Sequence, residues 1–327
     1  MKQKSQASRA LGVAVVCVAL FSFVQCAGTK PQPVLEKIDE KSGGILYVTM
    51  VVHAETDPWD SNHAGLLVGL PAIMEVFDRV QKSTNVPMHL TCCVMPQTAG
   101  PELFGDTYRE LIKKGNEIGI LVKGGAENIG WPNRVLGAKD NEARIPGAVL
   151  RMKELGFPAP RVYAAGNYSY IPSTTKVLEE NGIETSVSAM PRLVDEGAEY
   201  NYSALRDSLP YHPSYDDNAK PGNAQLVEVP VGFSEVDRYN VVAVVKSRLA
   251  NVRRSGGVDV FQMVLAPWQT VIVGDTGQET QWAVNTLYTD LLEEFLRQLA
   301  DMEGVRVETV SAAVRAWKKA QEAEAKK

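Results

Sequence analysis

The sequence predicts an α/β fold, a deformed (β/α)7-type barrel of mostly parallel strands in a single domain. Three observations carry this. Short apolar runs alternate with amphipathic helical patterns about seven times between residues 45 and 308, which implies parallel strands joined by right-handed crossovers. So many units without a dinucleotide-type glycine fingerprint favour a closed or deformed barrel over an open doubly wound sheet. No internal repeat divides the chain, and about 280 residues suffice for one large core.

The elements follow in order. The apolar run 45–52 opens the domain as a strand, and the amphipathic stretch 66–82 returns as a helix. Strands at 88–94, 117–122, 161–165 and 184–188 alternate with helices at 104–114, 143–155 and 173–181. A break at 191–222, rich in Pro, Tyr, Asp and Asn, is too long for an ordinary connection. Its aromatic residues favour a functional loop. Beyond it lie a strand at 226–231, a helix at 241–250, a strand at 260–265, a helix at 280–302 and a strand at 305–308. The closing AWKKAQEAEAKK reads as a solvated helix end.

The N-terminus reads as a secretion signal. Lys2, Lys4 and Arg9 precede an uncharged apolar run, 10–24, which is short for a bilayer span. Cys26 follows directly and resembles the acylated cysteine of a bacterial lipoprotein, although Gln25 stands where that pattern has a small residue. Lipidation at Cys26, a plain cleaved signal and an uncleaved anchor all stay open. The expected organisation is a signal at 1–26, a polar tether at 27–44, the barrel at 45–318 and a charged tail at 319–327. That places the chain in the periplasm or cell envelope, touching membrane only through its N-terminal anchor or lipid.

Charge and cysteines exclude some partners. The net charge is −5, and removing the three positive charges of the leader takes it to about −8. An acidic surface argues against nucleic acid, whose phosphates need a basic face. Cys92 and Cys93 are adjacent in an apolar run and read as buried thiols.

In a parallel barrel, ligands meet the loops after the strands' C-terminal ends. The first such loop, His53 to Asp57, is the most polar. His53 and Glu55 are two apart and share a face of the strand, so they suit an acid/base pair or metal ligation as well as a plain hydrogen-bonded strand end. Asp57 joins them as a candidate. His89 reads as structural, while a site of His53, Glu55 or Asp57 with His212 is a conceivable alternative. Around the mouth, Trp59, Tyr168, Tyr211, Tyr215 and Trp268 offer faces for a sugar ring; Asn167, Asp216, Asp217 and Gln269 offer hydrogen bonds.

Six phrases in order resemble the NodB-homology polysaccharide deacetylases, also called carbohydrate esterase family 4, over about 45–317. They are the acidic cluster from His53 to Asp57; LIKKGNEIG at 111–119, like "lxxxGHEIG"; and YAAGNY at 163–168, like "fRaGxy". LEENGI at 178–183 with SVS at 186–188, LPYHPS at 209–214 with VEVPV at 227–231, and VLAPW at 264–268 complete the set. The resemblance implies metal-assisted hydrolysis of an N-acetyl group, with a zinc-type ion held by one acid and two histidines. The two histidine positions fall on Leu121 and Gly125, the arginine on Ala164 and the late histidine on Ala266. Glu55 or Asp57 would match the metal-binding acid.

The resemblance therefore implies an exported member of that superfamily handling cell-envelope polysaccharide or peptidoglycan. A degenerate carbohydrate-binding domain without resident metal is favoured. Asn167, Tyr168, Tyr211, His212 and Trp268 are its expected substrate contacts. The alternatives are an active deacetylase with a rearranged site of His53, Glu55 and Asp57 and a divalent metal such as zinc, or a structural, partner-binding envelope protein.

Overall fold

The computed structural model describes residues 43–55, 63–123, 138–195, 200–234, 241–275 and 280–326. The leader, Cys26, most of the tether, Asp57, Trp59 and Gly125 lie outside the described residues, and so does the side chain of Asn167.

Strand β1 (Ile45–Ala54) is buried along nearly its whole length, and its two faces enter different clusters. Leu46, Val48, Met50, Val52 and Ala54 point to the surrounding helices, whereas Val51 points into the barrel. A strand covered on both sides has to be apolar on both parities. A π-helical turn (Gly65–Gly69) leads into α1 (Leu70–Thr84), which buries Leu70, Ile73, Val76, Phe77 and Val80, a stripe of helical spacing. Asn85 ends it in the left-handed conformation at φ 57°.

The chain continues through β2 (Leu90–Val94), α2 (Gly105–Lys113), β3 (Glu117–Val122), α3 (Ala138–Glu154), β4 (Val162–Ala165), α4 (Pro172–Glu180) and β5 (Thr185–Ser186). The small hairpin β6 (Val194–Asp195) and β7 (Tyr200–Asn201) precedes β8 (Val227–Glu228) and β9 (Val231–Phe233). Then follow α5 (Val241–Ser255), β10 (Val258–Leu265), β11 (Val271–Asp275), β12 (Thr280–Val284), α6 (Thr286–Ala300), β13 (Val305–Val307) and α7 (Val310–Glu324).

The main sheet runs β5-β4-β3-β2-β1-β10, all parallel, and one segment joins its ends. β8 pairs with β5 while β9, three residues on, pairs with β10. Pro230 lies between them and has no N–H for a ladder, so the strand expected at 226–231 is broken into two short pieces. The result is the curled, mostly parallel (β/α) barrel that the alternating pattern predicts.

One expectation needs correction. Residues 280–284 are not the start of a helix: they form β12, antiparallel to β11. The helix begins after Asn285, whose side chain accepts from the Tyr288 N–H. The chain closes on α7, which is exposed from Gln321 onward and buries Val310, Ala313, Val314 and Trp317 against the barrel interior. It enters where the strands begin: Val310 N–H donates to Thr91 Oγ1 at 2.9 Å, and Ser311 N–H to Glu117 Oε2 at 3.1 Å. That end is thereby closed, and the opposite end is the mouth.

The long break at 191–222 covers β5 and β8 in place of a helix, and a buried carboxylate holds it there. Glu228, on the outer side of β8, accepts from the N–H groups of Ser188 and Ala189 at 2.9 and 2.7 Å. Tyr211 forms an antiparallel bridge with Glu228, and its hydroxyl donates to the Asn218 carbonyl at 2.5 Å. The Tyr202 hydroxyl donates to the carbonyls of Tyr168 and Tyr170, both at 3.1 Å. Glu228 has no cationic partner among the described residues, and burial raises its pKa from 4.5 to about 7.

Candidate functional site

The strand registers bring the positions singled out above into one inward-facing region. Leu121 pairs with Ala164 across β3 and β4, and Val52 pairs with Leu265 across β1 and β10. His53 therefore comes level with Ala266, and Glu55 lies one inward step nearer the mouth. Leu121 and Ala164 are fully buried in the interior apolar cluster with Val51, Cys93 and Met95. Neither offers a ligating atom.

Glu55 instead meets a cation from the protein itself. Lys123 follows the last residue of β3, and its Nζ donates to Glu55 Oε2 at 2.7 Å. Both side chains are mostly buried, at 20% and 17% exposure, so the contact is largely shielded from solvent. Gly166, at the end of β4, makes the room: a Cβ there would lie 2.5 Å from the Lys123 Cβ and 2.7 Å from its Cα. Lys123 is the site residue that sequence reasoning missed. Its signal was positional, a single charge directly after an apolar strand and opposite the acidic cluster.

His53 is buried, and its Nε2 has no hydrogen-bond partner. Desolvation lowers its pKa from 6.5 to about 4; Glu55 opposes this and Lys123 adds to it. The imidazole is therefore neutral at pH 7. Its ring lies 6.3 Å from that of Tyr168, which sits in the left-handed region at φ 58°. A tyrosine there is strained, and the Tyr202 hydroxyl on its carbonyl helps to hold it. Trp268 is 40% exposed on the turn after β10, at the rim.

Other expected contacts are placed elsewhere. Tyr211 is buried and engaged with Asn218 and Glu228, so its ring is not available to a ligand. His212 is at the wrong end of the barrel: its Nδ1 is 3.0 Å from the carbonyl of Leu226, just before β8, and its ring is 5.8 Å from that of Trp317 on α7. A site joining His53 and Glu55 to His212 is therefore not formed. Tyr215 donates to Glu179 on α4, Asp217 pairs with Lys220, and Gln269 accepts from the Tyr288 hydroxyl. His63 packs edge-on against Phe104, and His89 lies 2.9 Å from Glu308. Among the described residues no three His, Cys, Asp or Glu side chains group as a metal site. The described mouth is thus His53, Glu55, Lys123 and Tyr168, with Trp268 beside it.

No family model and no curated protein matches the chain. Solved structures do. A protein described as a polysaccharide deacetylase from Mycobacterium smegmatis aligns over 87% of this chain and 94% of its own, with a TM-score of 0.53 and 18% identity. One described as a glycoside hydrolase/deacetylase from Parabacteroides distasonis aligns over 85% of this chain and 72% of its own, with a TM-score of 0.57 and 13% identity. A GH57-type branching enzyme from Pyrococcus horikoshii aligns over 84% and 70%, with a TM-score of 0.50 and 12% identity. At such identities the likeness is one of backbone: the chain has the NodB-like polysaccharide deacetylase fold, in a divergent sequence.

Proposed function

We propose that this is an exported cell-envelope protein that binds polysaccharide or peptidoglycan at the barrel mouth without the metal-dependent deacetylase reaction. The observation that carries the reading is the Glu55–Lys123 ion pair at 2.7 Å. The acid that would face a dication already has an ammonium against it, and a second positive charge there would be repelled. A catalytic zinc takes three protein ligands and keeps an open position, whereas the two histidine positions fall on Leu121, buried in the apolar interior, and Gly125, neither of which has a ligating side chain. The described residues do not fit that ion, so no step is derived through one.

What remains suits recognition of a polyhydroxylated ring. Lys123 donates and Glu55 accepts, and the Tyr168 ring lies beside the buried, neutral His53. Export is supported by Lys2, Lys4 and Arg9 before the apolar run 10–24, and lipidation by Cys26 directly after it. The test combines two readouts on purified protein. Chitooligosaccharide or peptidoglycan fragments should bind equally with and without EDTA, binding should weaken in Lys123→Met, and no acetate should be released. Acetate release that a chelator abolishes would establish the deacetylase instead. An absence of glycan binding under all conditions would favour a structural role.

A further inference from the structure

Tyr168 holds its place at the mouth against its own backbone preference. At φ 58° an L side chain is strained, and relaxation to a negative φ would swing the half-buried ring away from His53, whose ring lies 6.3 Å off. The turn that carries it, Gly166–Tyr168, is a single 3₁₀ turn, closed by the Ser169 N–H on the Gly166 carbonyl at 3.2 Å. So short a piece has little of its own to resist that relaxation.

The resistance comes from the long segment that follows β5. Tyr202 is fully buried, and its hydroxyl lies 3.1 Å from both the Tyr168 and the Tyr170 carbonyls. One proton shared between two carbonyls fixes their mutual orientation, and with it the backbone on either side of Ser169. Tyr202 is itself held in place: its N–H donates to the Leu193 carbonyl at 2.8 Å, and its carbonyl accepts from the Arg192 N–H at 3.1 Å. Burial raises its phenol pKa well above the ordinary value, so the hydroxyl keeps its proton. Asn218, from the same segment, donates from Nδ2 to the Tyr170 carbonyl at 2.7 Å.

We propose that Tyr202 is a positioning residue for glycan binding: its hydroxyl pins the 166–170 turn so that the Tyr168 ring stands beside His53 as a face for the sugar. The inference rests on the glycan reading above. Tyr202 has no exposed surface with which to touch a ligand, so it acts through Tyr168. The segment 191–222 thereby serves the mouth from behind, a functional use for a connection of that length. Tyr202 does not stack on the sugar but fixes the ring that does.

Calorimetric titration with chitooligosaccharide, paired with hydrogen–deuterium exchange of the free protein, tests this. Tyr202→Phe keeps the buried ring and removes only the hydroxyl. It should weaken binding about fivefold and speed exchange of the 168–170 amides by about the same factor. Tyr211→Phe, which loses a buried hydroxyl of the same kind, should change neither. Tyr168→Gly removes the ring and tolerates the left-handed backbone; in that background Tyr202→Phe should cost no further affinity. The same loss in both backgrounds would overturn the proposal, because Tyr202 would then act independently of the Tyr168 ring. Wild-type affinity and exchange in Tyr202→Phe would overturn it as well. If neither wild type nor variants bind the sugar while exchange still rises in Tyr202→Phe, the glycan reading falls and the hold of Tyr202 on Tyr168 stands.

Discussion

Replacing Glu228 by glutamine should change how stability depends on pH. The folded chain holds the Glu228 proton to about pH 7 against an ordinary value of 4.5. It therefore binds more protons than the unfolded chain between those values, and stability falls as pH rises through that window. At 1.36 kcal/mol per unit the loss is roughly 3 kcal/mol. His53 does the opposite: its folded value of about 4 lies below the ordinary 6.5, so stability falls as pH drops from 6.5 toward 4. That loss is also roughly 3 kcal/mol. Over their common range the two effects nearly offset, leaving a shallow slope from this pair in the wild type. Glu228→Gln keeps the acceptor for Ser188 and Ala189 and removes the ionisation, so only the His53 slope remains. Urea unfolding at pH 4.5, 5.5, 6.5 and 8, followed by circular dichroism, should show the variant gaining roughly 3 kcal/mol on the wild type between the lowest and highest pH. Any fixed offset from the added amide hydrogens does not affect this difference. Parallel profiles would show that Glu228 does not titrate as a buried, cation-free carboxyl.

Other consequences concern the mouth and the loop. Gly166→Ala should cost about 1–3 kcal/mol of stability and weaken glycan binding, because its Cβ overlaps Lys123; unchanged calorimetry on both counts would remove Gly166 as the space-maker. Tyr211→Phe should lose about 1 kcal/mol from the hydroxyl on Asn218 with glycan affinity intact. A binding defect at wild-type stability would put Tyr211 back in contact with ligand. His212→Ala should likewise leave binding titrations unchanged, since its ring packs at the closed end.

The barrel was legible because apolar runs of strand length alternate with helical stripes, a pattern set by burial on two faces. The inward face shared by Leu121 and Ala164 follows from parity and strand order once the strands are placed, whereas the sequence left the acid of the first cluster open between Glu55 and Asp57. Lys123 was not: no spacing rule says that a side chain from β3 will cross to the acid on β1, and Gly166 makes room for it from a third strand. The aromatic loop misled for a related reason. Tyr211 looks like a rim residue in sequence, but Glu228 and the Asn218 carbonyl draw it inward. The helix expected at 280–302 starts six residues later, at Thr286, because the short alternation of β12 runs into the stronger stripe of α6.

Metal content per chain bears most directly on the claim that a lysine has taken the cation's place beside Glu55. Mass spectrometry of the protein purified without chelator, then dialysed against micromolar zinc, should find far less than one ion per molecule in the wild type and in Glu55→Ala alike. One tightly held zinc per molecule, lost in Glu55→Ala or His53→Ala, would contradict the account.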